Sequence, residues 1–100
     1  MQRHLIYCGL DSQTMDTDQA DQLVRDLAIK HFPNGHTIHE ATGRWSGVFG
    51  AFDEPTLIVE VWEVNGFNVP AIGRFAVDFK DQATQEAVVI LTMSCESVVI

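Results

Sequence analysis

The groups in this chain that could do chemistry are few, and their spacing narrows what they can do. Of four histidines, His36 and His39 stand three positions apart. On a strand that spacing points them to opposite faces, so they cannot share a metal without a kink. No paired cysteines accompany them, and no zinc site is expected. His31 closes a helical stretch, where the helix dipole favours a cation, and His4 lies near the terminus. None has a serine or cysteine partner at a telling spacing, so a hydrolytic triad is unsupported. Cys8 and Cys95 are too few for a disulfide framework and are read as reduced thiols. Gly43, Gly47 and Gly50 match neither the dinucleotide fingerprint nor the phosphate loop, and no helix follows them. Two readings stay open for the stretch Ser46 to Pro55. It is longer than a hairpin requires, and is either a mobile connection between strands or a loop that grips a ligand.

The acids are more informative. Glu60 and Glu63 fall on opposite faces of one expected strand, and such a glutamate is ordinarily just solvated. Glu54 differs in context. It follows the glycine-containing stretch, precedes Pro55 and lies near Trp45 across the expected hairpin. A carboxylate beside an indole face is a natural grip for a cationic ligand. The plainer reading is a solvated acid at a loop end.

These residues need elements to position them. The 100 residues suit one domain that buries about two-thirds of its unfolded surface. Leu5 to Leu10 reads as a strand. Asp16 and Gln19 form a capping box for a helix over Thr17 to His31, whose apolar positions recur at helical spacing. Pro33-Asn34-Gly35 stops it. His36 to Trp45 is the second strand and Thr56 to Val64 the third. In the third, Leu57, Val59 and Val61 point one way and Ile58, Glu60 and Trp62 the other. Pro70 to Lys80 is the second helix, with Ile72, Phe75, Ala76 and Phe79 as its apolar stripe. Ala87 to Met93 is a fourth strand, and Ser97 to Ile100 a possible short return strand. The order βαββαβ predicts an α+β, ferredoxin-like domain: a four-stranded antiparallel sheet with both helices on one face. The other face carries apolar residues as well, which predicts a homo-oligomer.

Six basic residues against fourteen acidic ones give a formal charge of −8. So acidic a surface repels phosphate, which argues against nucleic acid as a partner. No stretch approaches the ~20 apolar residues of a membrane span. Met1-Gln2-Arg3-His4 leads straight into Leu5-Ile6-Tyr7 without a signal-peptide pattern, so a cytoplasmic protein is expected.

Thr42-Gly43-Arg44-Trp45, then Glu54-Pro55-Thr56-Leu57-Ile58-Val59, a helix and the strand Val88-Val89-Ile90-Leu91 together resemble the bacteriophage S-adenosylmethionine lyases. The resemblance spans about Ile38 to Val99. It implies a ferredoxin-like trimer akin to the PII signalling proteins, with substrate held in clefts between subunits. It further implies cleavage of S-adenosylmethionine to 5'-methylthioadenosine and L-homoserine lactone, with no cofactor beyond the substrate and no metal. On the family pattern Glu54 is the functional carboxylate and Trp45 the aromatic position; with the neighbouring Ser46 and Phe49, Trp45 is expected to bind the substrate. Trp45 occupies an aromatic position that is often tyrosine, so a hydroxyl is missing here. If the chain is phage-encoded, the compartment is the host cytoplasm. A second run, Phe32-Pro33-Asn34-Gly35-His36-Thr37 with Gly43-Arg44-Trp45 and Gln85-Glu86-Ala87-Val88, is similar to an uncharacterised family of small bacterial ferredoxin-like domains. That family implies the same fold and no function. The alternative function is a non-catalytic ferredoxin-like oligomeric module that binds an adenosyl or nucleotide ligand between subunits.

Overall fold

A computed structural model describes residues 1–48, 50–63, 69–85 and 87–96. The chain runs β1 (Gln2–Gly9), α1 (Thr17–His31), β2 (Thr37–Gly47), β3 (Gly50–Glu63), α2 (Val69–Gln82) and β4 (Val89–Ser94). The strands form one sheet in the order β2-β3-β1-β4, and every pair is antiparallel. This is the ferredoxin-like plan. α1 begins where its capping box requires: Asp16 accepts from the Gln19 amide at 2.8 Å, and the Gln19 side chain accepts from the Asp16 amide at 2.9 Å. Such a cap stabilises a helix by about 1 kcal/mol.

Strand alternation sorts the residues into two layers. Ile6 and Cys8 of β1 and Leu57, Val59 and Val61 of β3 face the helices. There they pack with Val24 and Leu27 of α1 and with Ile72, Phe75 and Phe79 of α2. Phe75 and Phe79 are fully buried, each contributing about 1.5–3 kcal/mol of hydrophobic stabilisation. Cys8 sits in this layer as a free thiol, and burial pushes its pKa up to about 12. Cys95 is also free. Among the described residues, no helix lies on the opposite face of the sheet. Phe52, Trp62, Val89 and Leu91 lie on it, all exposed.

The largest departure from expectation is the stretch Ser46 to Pro55. It is not a loop. β2 and β3 stay paired through Thr42↔Pro55, Gly43↔Glu54, Trp45↔Phe52 and Ser46↔Ala51, closing at Gly47↔Gly50. Gly50, at φ +112°, adopts a left-handed conformation open to glycine. Pro55 is tolerated mid-strand because β1 has ended beside it. Its carbonyl still accepts the Leu10 amide at 2.9 Å, and its missing N–H deprives no ladder partner. Strands β1 and β2 also extend beyond their expected ends, to Gln2 and Gly47. The expected return strand over Ser97–Ile100 lies outside the described residues. Among the described residues no helix is long and apolar enough to cross a membrane.

Candidate functional site

Glu54 points onto the helix-free face of the sheet, and it is not the solvated loop-end acid that its neighbours in sequence allow. The residue is only 8% exposed. Its carboxyl group lies over Gly9 at the end of β1, so close that a Cβ on Gly9 would stand 2.3 Å from Oε1. Only glycine leaves this space. The Asp11 amide donates to Oε2 at 3.2 Å, and the Thr56 hydroxyl donates to the Glu54 carbonyl at 3.3 Å. The pKa is raised, first by burial and further by the nearby Asp11 charge, while the Asp11 amide partly offsets the rise. This is a desolvated carboxyl group whose charge few partners stabilise.

Trp45 lies on the same face, in the neighbouring strand. Its indole folds down over Gly43, the residue paired with Glu54. A Cβ on Gly43 would stand 2.7 Å from Nε1 of Trp45 and 2.8 Å from Oγ1 of Thr56. That buried Nε1 has no hydrogen-bond partner among the described residues, a costly state for an N–H group. The indole and the carboxyl group share a face but lean apart, one over Gly43 and the other over Gly9. Ser46, one residue further along β2, belongs by strand alternation to the opposite face and is exposed. Its side chain is therefore on the other face of the sheet from Glu54. Phe49 lies outside the described residues. Gly43 proves to matter as a floor beneath the Trp45 indole, as Gly9 does beneath Glu54, and Gly9 had no local signal at all.

A second cluster on the same face centres on Glu60, which is 6% exposed. Arg3 Nη2 donates to Oε1 at 3.0 Å, His39 Nε2 meets the same oxygen at 2.8 Å, and Trp62 Nε1 donates to Oε2 at 2.6 Å. The Arg3 guanidinium also lies over the Trp62 ring at 5.7 Å. The Arg3 hydrogen bond leads in lowering the Glu60 pKa to about 2. This is a carboxylate already supplied with donors. Arg3 and His39 reach it diagonally across adjacent strands, a neighbourhood created only by sheet pairing.

On the helix side, His4 is 2% exposed. Its Nε2 is hydrogen-bonded to Glu63, and its Nδ1 meets the Thr92 hydroxyl at 2.8 Å. His31 bonds Asp78 at 2.8 Å, and His36 bonds the Phe32 carbonyl at 3.0 Å. The histidines are thus dispersed. No metal-ligating group of three or more His, Cys, Asp or Glu residues converges among the described residues.

No protein-family model and no curated protein sequence matches the chain. Solved structures do. A phage S-adenosylmethionine lyase in complex with S-methyl-5'-thioadenosine superposes with a TM-score of 0.72 at 13% identity, covering 92% of this chain and 79% of the lyase. A phage S-adenosylmethionine lyase in its apo state gives 0.69 at 14% identity, over 92% and 78% of the two chains. An Arabidopsis thaliana protein gives 0.56 at 9% identity, over 100% of both chains. At these identities the likeness is one of fold.

Proposed function

We propose that this chain is an S-adenosylmethionine lyase that converts its substrate to 5'-methylthioadenosine and L-homoserine lactone, lowering the methyl-donor pool. The observation that carries the reading is Glu54. It is a buried carboxyl group with a single amide donor among the described residues, on the open sheet face of a fold shared with a phage enzyme of that activity. The reaction makes few demands on side-chain chemistry. A carboxylate oxygen of the substrate attacks its own γ-carbon, the carbon–sulfur bond breaks, and the electron pair stays on sulfur as a neutral thioether. Oriented intramolecular attack supplies roughly 7–11 kcal/mol of the barrier reduction. Charge is neutralised on the way to the transition state, so a site with little water favours it. Glu54 in its ionised form holds the substrate ammonium, and that partner offsets the burial cost that raises its pKa. Trp45 shields the sulfonium or stacks on adenine.

The apolar open face, with Trp62, Val89 and Leu91 exposed in the isolated chain, supports assembly into a trimer with the substrate between subunits. The chain would act in the cytoplasm. One observation favours binding without cleavage: Trp45 supplies no hydroxyl, and its indole N–H is turned down onto Gly43. The test is incubation of purified protein with S-adenosylmethionine and chromatography of methylthioadenosine. Product above the non-enzymatic rate is expected, and its absence overturns the proposal. Intact ligand recovered after tight binding in calorimetry would establish the alternative instead. Sedimentation should report three chains per particle.

A further inference from the structure

The helical layer holds a second feature, which the proposed reaction does not use. A groove of about 750 Å³ runs between the C-terminal end of α1 and the outer face of α2. Its size is in the range of small-molecule sites. Pro70, Gly73 and Val77 of α2 line it, and Lys30 of α1 and Arg74 of α2 stand at its rim. Val77 is 57% exposed, an apolar wall left largely open to solvent.

Gly73 is the informative residue. It lies inside α2 but away from the buried stripe Ala71, Ile72, Phe75 and Phe79. A Cβ there would meet nothing within 4 Å. Neither packing nor a left-handed backbone requires glycine, and glycine inside a helix is disfavoured relative to alanine. What the missing Cβ leaves is open space within the groove lining, which a larger side chain at this position would occupy.

The charge at the rim is the second indication. In a chain with six basic and fourteen acidic residues, two cations meet here. The one carboxylate of the lining, Asp78, is already engaged by His31 Nε2 at 2.8 Å and by Lys30 Nζ at 3.6 Å. Arg74 makes no ion pair among the described residues. An apolar trough with an uncommitted guanidinium at its edge complements a molecule with an apolar body and one negative end.

We propose that this groove is a second binding site, for a small amphipathic organic anion whose apolar body lies over Gly73 between Pro70 and Val77 and whose charged end pairs with Arg74, with Lys30 adding attraction. The site shares no residue with Glu54 or Trp45 and stands whether or not the chain cleaves S-adenosylmethionine.

The probe is 8-anilinonaphthalene-1-sulfonate, followed by its fluorescence on titration into the folded full chain. One saturable site per chain is expected, with binding weakened at least tenfold in Arg74→Glu and abolished in Gly73→Leu, which fills the trough. Gly73→Ala is expected to melt no lower than the parent and to bind several-fold more weakly, which separates loss of the site from loss of the fold. N-phenyl-1-naphthylamine, the same body without the sulfonate, is expected to bind at least tenfold more weakly than the anionic dye. The proposal is overturned by the absence of saturable binding. It is equally overturned by unchanged affinity in both Arg74→Glu and Gly73→Leu, which would put the dye on the open sheet face, or by equal affinity for the two dyes.

Discussion

Glu54 and Glu60 lie on the same face of β3, and both are largely withdrawn from water, at 8% and 6% exposure. Their surroundings differ. Glu60 has an arginine, a histidine and an indole N–H directed at its oxygens, and its pKa falls to about 2. Glu54 has one amide at 3.2 Å, and its pKa rises because burial is the leading cause. Equal burial therefore carries opposite meanings. A carboxylate whose donors come from its own chain is structural. One that is buried with few donors keeps a desolvation cost that a cationic partner from outside would offset, which is the proposal for Glu54.

The comparison can be broken most directly through activity. Glu54→Gln is expected to lower the rate of methylthioadenosine formation by at least about 100-fold, roughly 2.7 kcal/mol of transition-state stabilisation, with the fold intact by circular dichroism. A similar loss from Glu60→Gln in protein that remains folded would erase the distinction. Stability should show the reverse order. Glu60→Ala removes the acceptor that Arg3 Nη2 and Trp62 Nε1 share, and is expected to cost about 1 kcal/mol in urea denaturation, whereas Glu54→Gln is expected to be neutral or stabilising at pH 7. Gly9→Ala sharpens the contrast. Its Cβ would meet the Glu54 carboxyl group, so a loss of about 1–2 kcal/mol in stability is expected, along with reduced turnover.

The smallest effect is in the pH dependence. Glu60 has a folded-state pKa below its ordinary 4.5, so its stabilising contribution is complete above that value and is lost as pH falls toward about 2. Glu54 has the opposite sign. Its folded-state pKa lies above 4.5, so its contribution is present below 4.5 and is lost as pH rises through the folded-state value. Melting curves of Glu60→Gln should therefore lack part of the acid destabilisation of the parent, and those of Glu54→Gln should lack part of its destabilisation on the neutral side.

The architecture was largely legible from residue order. The capping box at Asp16 and Gln19 and the stop at Pro33-Asn34-Gly35 bounded α1 at the residues where it begins and ends. The alternation in Thr56–Val64 assigned Leu57, Val59 and Val61 to the core. The surroundings of the candidate site were half legible. Glu54 stood out by its context beside Pro55 and near Trp45, but the glycine-containing stretch around them read as a loop. Glycines and a proline signal irregular backbone when judged locally. Here Gly50 makes the tight reversal, and Pro55 sits where the neighbouring ladder has run out. Ser46, adjacent to Trp45 in sequence, is assigned to the opposite face because neighbouring residues on a strand alternate.

By itself, the order of residues determined periodicity: which segments are helices or strands, where a helix can start, which side of each element is apolar. These depend on neighbours a few positions away, and local backbone sterics and helix capping express them directly. Only the tertiary structure decided how much water each carboxyl group keeps and which donors it meets. Gly9 and Asp11 reach Glu54 from β1 and the turn beyond it, while Arg3 and His39 reach Glu60 from two different strands. Desolvation and hydrogen bonding act through space over a few ångströms, and it is the pairing of strands distant in sequence that brings those groups within that range.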